Sequence, residues 1–237
     1  MQKLLIKGKK RLSGIISISG SKNASLPILE STILTSKTIF LKHVPMLKDG
    51  ETMLSLLKSL GSKISISKKK NEVIVLNNKK LKTFASYNLV KTMRAGVLVL
   101  GPLLAKFYKA KVSLPGGCAI GSRPVDIHLN ALTKMGAIIK IKDGYIFAKA
   151  PKGLIGAKIV FPKISVGATE NILIAACFAK GKTIMKNCAC EPEIKDLSNF
   201  LIKCGCKIRW TGKRSIEVAG INELQSTTYK IIFDRIE

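Results

Sequence analysis

In Leu114-Pro115-Gly116-Gly117-Cys118-Ala119-Ile120-Gly121-Ser122-Arg123-Pro124-Val125-Asp126 a single thiol sits in a loop with three glycines, five residues ahead of an arginine. Glycine allows backbone conformations closed to other residues and close approach to a ligand. A neighbouring cation lowers a thiol pKa, so the sulfur can exchange a proton near neutral pH. The arginine fork suits a phosphate or a carboxylate. Together these types describe an anion-binding loop that carries an acid/base group or a nucleophile. A tight turn holding a buried cysteine fits the same residues.

Such a loop needs elements to hold it, and one phrase recurs along the chain. Leu56-Leu57-Lys58-Ser59-Leu60-Gly61, Leu132-Thr133-Lys134-Met135-Gly136 and Leu201-Ile202-Lys203-Cys204-Gly205 each read as a helix closed by a glycine. An apolar strand and a hairpin follow each one, with Gly144 and Gly212 marking two of the turns. The three glycines lie 75 and 69 residues apart. Ahead of each phrase an apolar helix (26–34, 94–104, 169–179) precedes a β-rich run (38–44, 111–114, 183–186). The unit is therefore strand–helix–strand–helix–strand–strand, three times over. Three sheets with helices packed between them make one α/β domain. Residues 1–20 read as a strand pair before the first repeat, and 228–233 as a strand near the end.

The totals exclude several classes. An apolar fraction of 46% rules out a disordered chain despite a formal charge of +27. Lysine supplies 35 of the 41 basic residues, they are scattered, and aromatics amount to 5%, which argues against a nucleic-acid partner. The longest apolar run, 95–105, contains Pro102 and is too short to cross a bilayer, so no membrane partner is expected. The first residues carry no leader pattern, and the reading is a cytoplasmic protein. The Cys188/Cys190 and Cys204/Cys206 pairs have the wrong spacing for zinc knuckles and read as core or helix-end thiols.

In order and spacing, six segments resemble the enolpyruvyl transferases: Ser19-Gly20-Ser21-Lys22-Asn23-Ala24, Val90-Lys91-Thr92-Met93-Arg94-Ala95, the 115–126 loop, Lys163-Ile164-Ser165-Val166-Gly167-Ala168-Thr169, Glu191-Pro192-Glu193-Ile194 and Asp234-Arg235-Ile236-Glu237. The resemblance implies an inside-out α/β barrel of three βαβαββ units, paired in the family with a similar second domain. It assigns 21–228 to the first domain, 1–20 to strands of an incomplete second domain, and 229–237 to the start of the crossing. Most of the second domain is then missing, in a truncated product or in one half of a split enzyme whose other half is a separate chain.

The implied reaction moves the enolpyruvyl group of phosphoenolpyruvate to the 3-hydroxyl of UDP-N-acetylglucosamine, through a tetrahedral intermediate and without metal or cofactor. By resemblance Cys118 donates the proton to the methylene carbon. Lys22, Asn23 and Arg123 hold phosphoenolpyruvate. Arg94, Arg123, Pro124, Val125, Asp126, Ile127, Lys163, Ile164, Ser165 and Val166 hold the nucleotide sugar. Lys48 also matches, His128 reads as structural, and Glu191 and Glu193 as helix N-terminal charges. Lys22 and Lys163 could equally be surface lysines. The family's carboxylate base and its further arginines have no counterpart here, so the chain alone should turn over little. The competing readings are a shikimate-pathway enolpyruvyl transferase, in which no Pro-Gly-Gly-Cys loop is expected, and a non-catalytic basic binding protein or remnant.

Overall fold

Gly61, Gly136 and Gly205 all adopt positive φ, +111°, +90° and +97°, a conformation that L side chains rarely take. Each turns the chain out of a helix and into a strand, as their shared spacing predicts. A computed structural model of the chain describes residues 5, 7–9, 11, 13–90, 94–114 and 125–236, apart from the side chain of Arg94. The elements in chain order are α1 (Lys22–Ser31), β1 (Ile39–Lys42), α2 (Lys48–Leu60), β2 (Ser62–Ser67), β3 (Glu72–Asn77), β4 (Phe84–Ala85), α3 (Tyr87–Val90), α4 (Leu100–Phe107), β5 (Lys109–Ser113) and α5 (Asp126–Lys134). They continue with β6 (Ile138–Lys142), β7 (Tyr145–Lys149), β8 (Lys158–Val160), α6 (Val166–Ala176), β9 (Lys182–Lys186), α7 (Pro192–Lys203), β10 (Lys207–Gly212), β11 (Ser215–Ala219) and β12 (Thr227–Lys230).

Three four-stranded sheets repeat one topology: β12-β1-β3-β2, β4-β5-β7-β6 and β8-β9-β11-β10. In each, the first pair is parallel and the other two pairs are antiparallel. The expected six-element unit is thus observed. In the first unit the opening strand comes from the far end of the sequence: β12 runs parallel to β1, with Tyr229 opposite Leu41. The strand read over 228–233 is therefore shorter, and it completes the first sheet. Among the described residues before Gly20, none lies in a strand. The strand pair expected over 1–20 is not seen there, and 1–4, 6, 10 and 12 fall outside the described residues.

Helices α1, α4 and α6 are enclosed on nearly every side, even though α1 and α6 carry polar residues such as Ser25, Glu30 and Asn171. Residues Ala24–Ser31 of α1 and Ala168–Ala176 of α6 are all buried. Helices α2, α5 and α7 bury one face only, for instance Met53, Leu54, Leu56, Leu57 and Leu60 of α2. Helices inside and sheets outside give the inside-out α/β barrel. The helix expected over 94–104 splits: 94–99 is a 3-10 segment and the α-helix begins at Leu100. Pro102 withholds the N–H that the Leu98 carbonyl would need in one continuous helix.

The segments flanking the domain run side by side at the start of α1. The Ser21 amide donates to the Ile232 carbonyl at 2.8 Å and the Asp234 amide to the Ser19 carbonyl at 2.9 Å. On α7, Asp196 takes the Tyr229 hydroxyl at 2.6 Å and the Ile232 amide at 3.3 Å, which ties β12 to the helix. Among the described residues no helix is long and apolar enough to cross a membrane.

Candidate active site

Two inner helices begin in the same way. Ser21 Oγ accepts the Ala24 amide at 3.3 Å at the start of α1, and Ser165 Oγ accepts the Ala168 amide at 3.2 Å at the start of α6. Both caps use a serine three residues ahead of the amide it accepts, the usual N-cap geometry. The remaining amides of such a helix start favour anions. Lys22 and Asn23 occupy the first turn of α1, and Pro27 withholds the N–H that would otherwise take the Asn23 carbonyl. Lys163, Ile164 and Val166 are exposed around the Ser165 cap. Lys22 Nζ lies 3.0 Å from Asp49 Oδ2, so its charge is already partnered, while Lys48 beside Asp49 is exposed.

Arg94 opens the 3-10 segment that packs on both α1 and α6. Val125, Asp126 and Ile127 form the start of α5, which also packs on α6. The start of α6 meets α5 and the 3-10 segment, since a Cβ on Gly167 would touch both His128 and Leu98, and α1 packs on the 3-10 segment and on α6. An open groove of about 420 Å³ lies between α5 and the strand leading to Lys163. Its walls include Ile127, Asn130 and Lys134 on one side and Val160 and Pro162 on the other. Cys118, Arg123 and Pro124 lie outside the described residues, so the thiol–guanidinium relationship does too.

Several buried titratable groups lie in and behind this region, among them His128, read as structural, and two glutamates that the sequence does not mark. His128 on α5 is buried, and Asn171 Nδ2 of α6 lies 3.1 Å from its Nδ1. Burial pushes His128 down to about 4, against a smaller opposing effect of Asp126. Glu30 is fully buried, and neither carboxyl oxygen has a hydrogen-bond partner among the described residues. Burial, and then Glu170, raise its pKa well above the carboxylate range. Burial also pushes Glu170 up to about 8, followed by the charges of Glu193 and Glu191. Glu193 sits in the first turn of α7, as its position suggests, and accepts Arg235 Nε at 3.0 Å. Nothing in the spacing of Glu30 and Glu170 marks them as buried, because glutamate is ordinarily a surface residue. The cysteine pairs do fall where the sequence places them: Cys188, Cys204 and Cys206 are in the core, and Cys204 closes α7.

The family model described as EPSP synthase (3-phosphoshikimate 1-carboxyvinyltransferase) matches residues 6–237. The chain belongs to this family. Along its whole length it is 65% identical to the UDP-N-acetylglucosamine 1-carboxyvinyltransferase of Pelagibacter ubique and covers 56% of that protein. It is 52% identical over 239 residues to the protein of the same name from Thermodesulfovibrio yellowstonii, again covering 56% of it. The chain thus spans little more than half the length of these relatives. Among solved structures it superposes on the enolpyruvyl transferase NikO of Streptomyces tendae with a TM-score of 0.78 and 16% identity, over 96% of this chain and 53% of that one. An EPSP synthase from Acinetobacter baumannii follows with a TM-score of 0.73 and 19% identity, over 92% and 49%. At these identities the structures speak for the enolpyruvyl-transferase fold alone.

Proposed function

We propose that this chain is the nucleotide-sugar half of a UDP-N-acetylglucosamine 1-carboxyvinyltransferase. It transfers the enolpyruvyl group of phosphoenolpyruvate to the sugar 3-hydroxyl, in the cytoplasm and in the service of peptidoglycan synthesis. The observation that carries this reading is a match along the whole chain to relatives of that name, 65% identical in one case. The position of the matching segments at helix starts supports it. Lys22, Asn23 and Arg123 take phosphoenolpyruvate. Arg94, residues 123–127 and residues 163–166 take the nucleotide sugar. Cys118 protonates the methylene carbon while the sugar 3-hydroxyl, giving up its proton, bonds to the adjacent carbon. The tetrahedral intermediate then loses phosphate from that carbon and a proton from the new methyl group, which restores the double bond.

The helix starts and cations hold the phosphate and carboxylate and stabilise the charge that builds on phosphate as it leaves the tetrahedral intermediate. The relatives are longer, and we assign the remaining catalytic groups to residues beyond those matched here, on a second domain supplied in the same or another chain. The unit from α1 to β12 is the first domain. Segments 13–20 and 231–236 lead toward the second, so the boundary falls after Lys230 rather than at 228, within β12.

The test is alkylation by fosfomycin, an epoxide mimic of phosphoenolpyruvate. One adduct, mapped to Cys118, promoted by UDP-N-acetylglucosamine and lost in Cys118→Ser, is the expected result. An unmodified intact mass with and without the nucleotide sugar overturns the assignment of Cys118. The chain alone should release no phosphate from the two substrates, and steady turnover by a monomer would remove the need for a second domain.

A further inference from the structure

The side chain of Asn171 lies where three helices meet. It sits on α6, its Nδ2 is 3.1 Å from His128 Nδ1 on α5, and its other end rests on Gly101 of α4. A Cβ at position 101 would collide with Oδ1 and with the main-chain oxygen of Asn171. Asn171 is fully buried and His128 is 8% exposed, so neither exchanges its partner freely with water.

An amide nitrogen can only donate, so at 3.1 Å the ring nitrogen facing it must accept. A neutral imidazole that accepts at Nδ1 carries its proton at Nε2. The imidazole is kept neutral because burial disfavours its cation. Nε2 has no acceptor among the described residues, and it faces Gly167, where a Cβ would stand 3.7 Å from Nε2 and 3.4 Å from Cε1. Gly167 is the second residue of α6, directly after Ser165 and Val166. The ring thus presents a fixed N–H donor between the start of α5, which bears Val125–Ile127, and the start of α6.

We propose that Asn171 is a positioning residue: by donating to Nδ1 it holds His128 as the Nε2–H tautomer and joins the starts of α5 and α6 in the register that a nucleotide sugar requires. The substrate part of this inference rests on the nucleotide-sugar reading above, whereas the tautomer part does not. A partner that only packed would stabilise the contact between α5 and α6 without selecting a tautomer.

Ring-nitrogen NMR of the ¹⁵N-labelled chain decides the first part, with His128→Gln identifying which of the two histidines gives each signal. At pH 7 the expected pattern for His128 is an unprotonated Nδ1 and a protonated Nε2. A proton on Nδ1 overturns the proposal. Asn171→Asp replaces the donor by an acceptor and should move the proton to Nδ1. Should that variant fail to fold, the wild-type spectrum still decides.

Calorimetry with UDP-N-acetylglucosamine decides the second part. Asn171→Ala should weaken binding roughly tenfold in the wild-type background, the order expected for one buried hydrogen bond. It should weaken binding less than about twofold when position 128 is glutamine, whose amide supplies a donor without needing Asn171. Equal losses in both backgrounds overturn the positioning role. A wild-type chain with the expected tautomer but no affinity for the nucleotide sugar removes the functional reading and leaves the tautomer assignment standing.

Discussion

Lys22 Nζ and Asp49 Oδ2, 3.0 Å apart, join the first turns of α1 and α2. The two side chains are 37% and 40% exposed, so solvent screens the pair and it should contribute only about 0.2–1 kcal/mol to stability. Asp49→Asn is therefore expected to shift the urea midpoint by little. Because it leaves the Lys22 charge unopposed beside a helix start, it should tighten binding of phosphoenolpyruvate at low salt, read by calorimetry. A stability loss above about 2 kcal/mol would show that the pair is structural rather than a reserve of charge.

Glu170 and His128 give the fold two pH dependences of opposite sign. Glu170 ionises near 8 when folded and near the ordinary 4.5 when unfolded, so the folded state holds its proton longer. Its contribution is complete below about pH 4.5 and is lost as pH rises toward 8, at about 1.4 kcal/mol per pH unit. Glu30, shifted in the same direction, steepens the loss. His128 ionises near 4 when folded and near 6.5 when unfolded, so its contribution is present above pH 6.5 and lost as pH falls toward 4. The interval from pH 6.5 to 8 isolates the carboxyls. Urea titrations there should show the wild type losing stability and Glu170→Gln losing less, with the variant the more stable of the two at pH 8. Parallel slopes would mean that Glu170 is ionised in the folded protein.

The three repeats could be read from the sequence because Gly61, Gly136 and Gly205 end amphipathic helices at positions that only a positive φ satisfies. The caps at Ser21 and Ser165 are local signals of the same kind, each a serine just ahead of an apolar helix. The pairing of β12 with β1 leaves no such trace. A strand's own residues do not name a partner almost 190 positions away, and the alternation in Thr227–Lys230 fits any sheet edge. Asn171 and Glu30 were hidden for another reason. Both lie on inner helices that the packing buries, α1 despite five polar residues among its ten, and the sequence says nothing of which polar groups face each other inside.

Tyr229 tests whether β12 belongs to this domain. Its hydroxyl donates to Asp196 Oδ1 at 2.6 Å, and its ring meets Phe200 edge-on at a centroid distance of 5.3 Å. Tyr229→Phe keeps the ring contact and leaves a buried carboxyl short of a donor, which should cost about 1–3 kcal/mol. Asp196→Asn retains an acceptor oxygen and should cost less. Hydrogen exchange adds a second reading, since the β12 amides should be protected to the same degree as those of β1. Free exchange at β12 with a protected β1 would detach the strand from the sheet.

Gly101 sets how closely α4 and α6 approach, and the same contact seats the side chain that holds His128. A Cβ there meets both the side-chain and the main-chain oxygen of Asn171, on the stretch of α6 that is buried from Ala168 to Ala176. The helices must separate or Asn171 must turn, and overpacking of this kind costs typically 1–3 kcal/mol. Gly212 supplies the control: its φ is not positive, and a Cβ would come no nearer than 3.9 Å to Ser215. Gly101→Ala should thus lower the urea midpoint strongly while Gly212→Ala stays within about 0.5 kcal/mol of wild type. If Gly101→Ala folds by turning Asn171, the amide donor leaves Nδ1, and the His128 ring should show both tautomers in place of one. A Gly101→Ala variant as stable as Gly212→Ala, with a single unchanged tautomer, would mean that α4 does not press on Asn171.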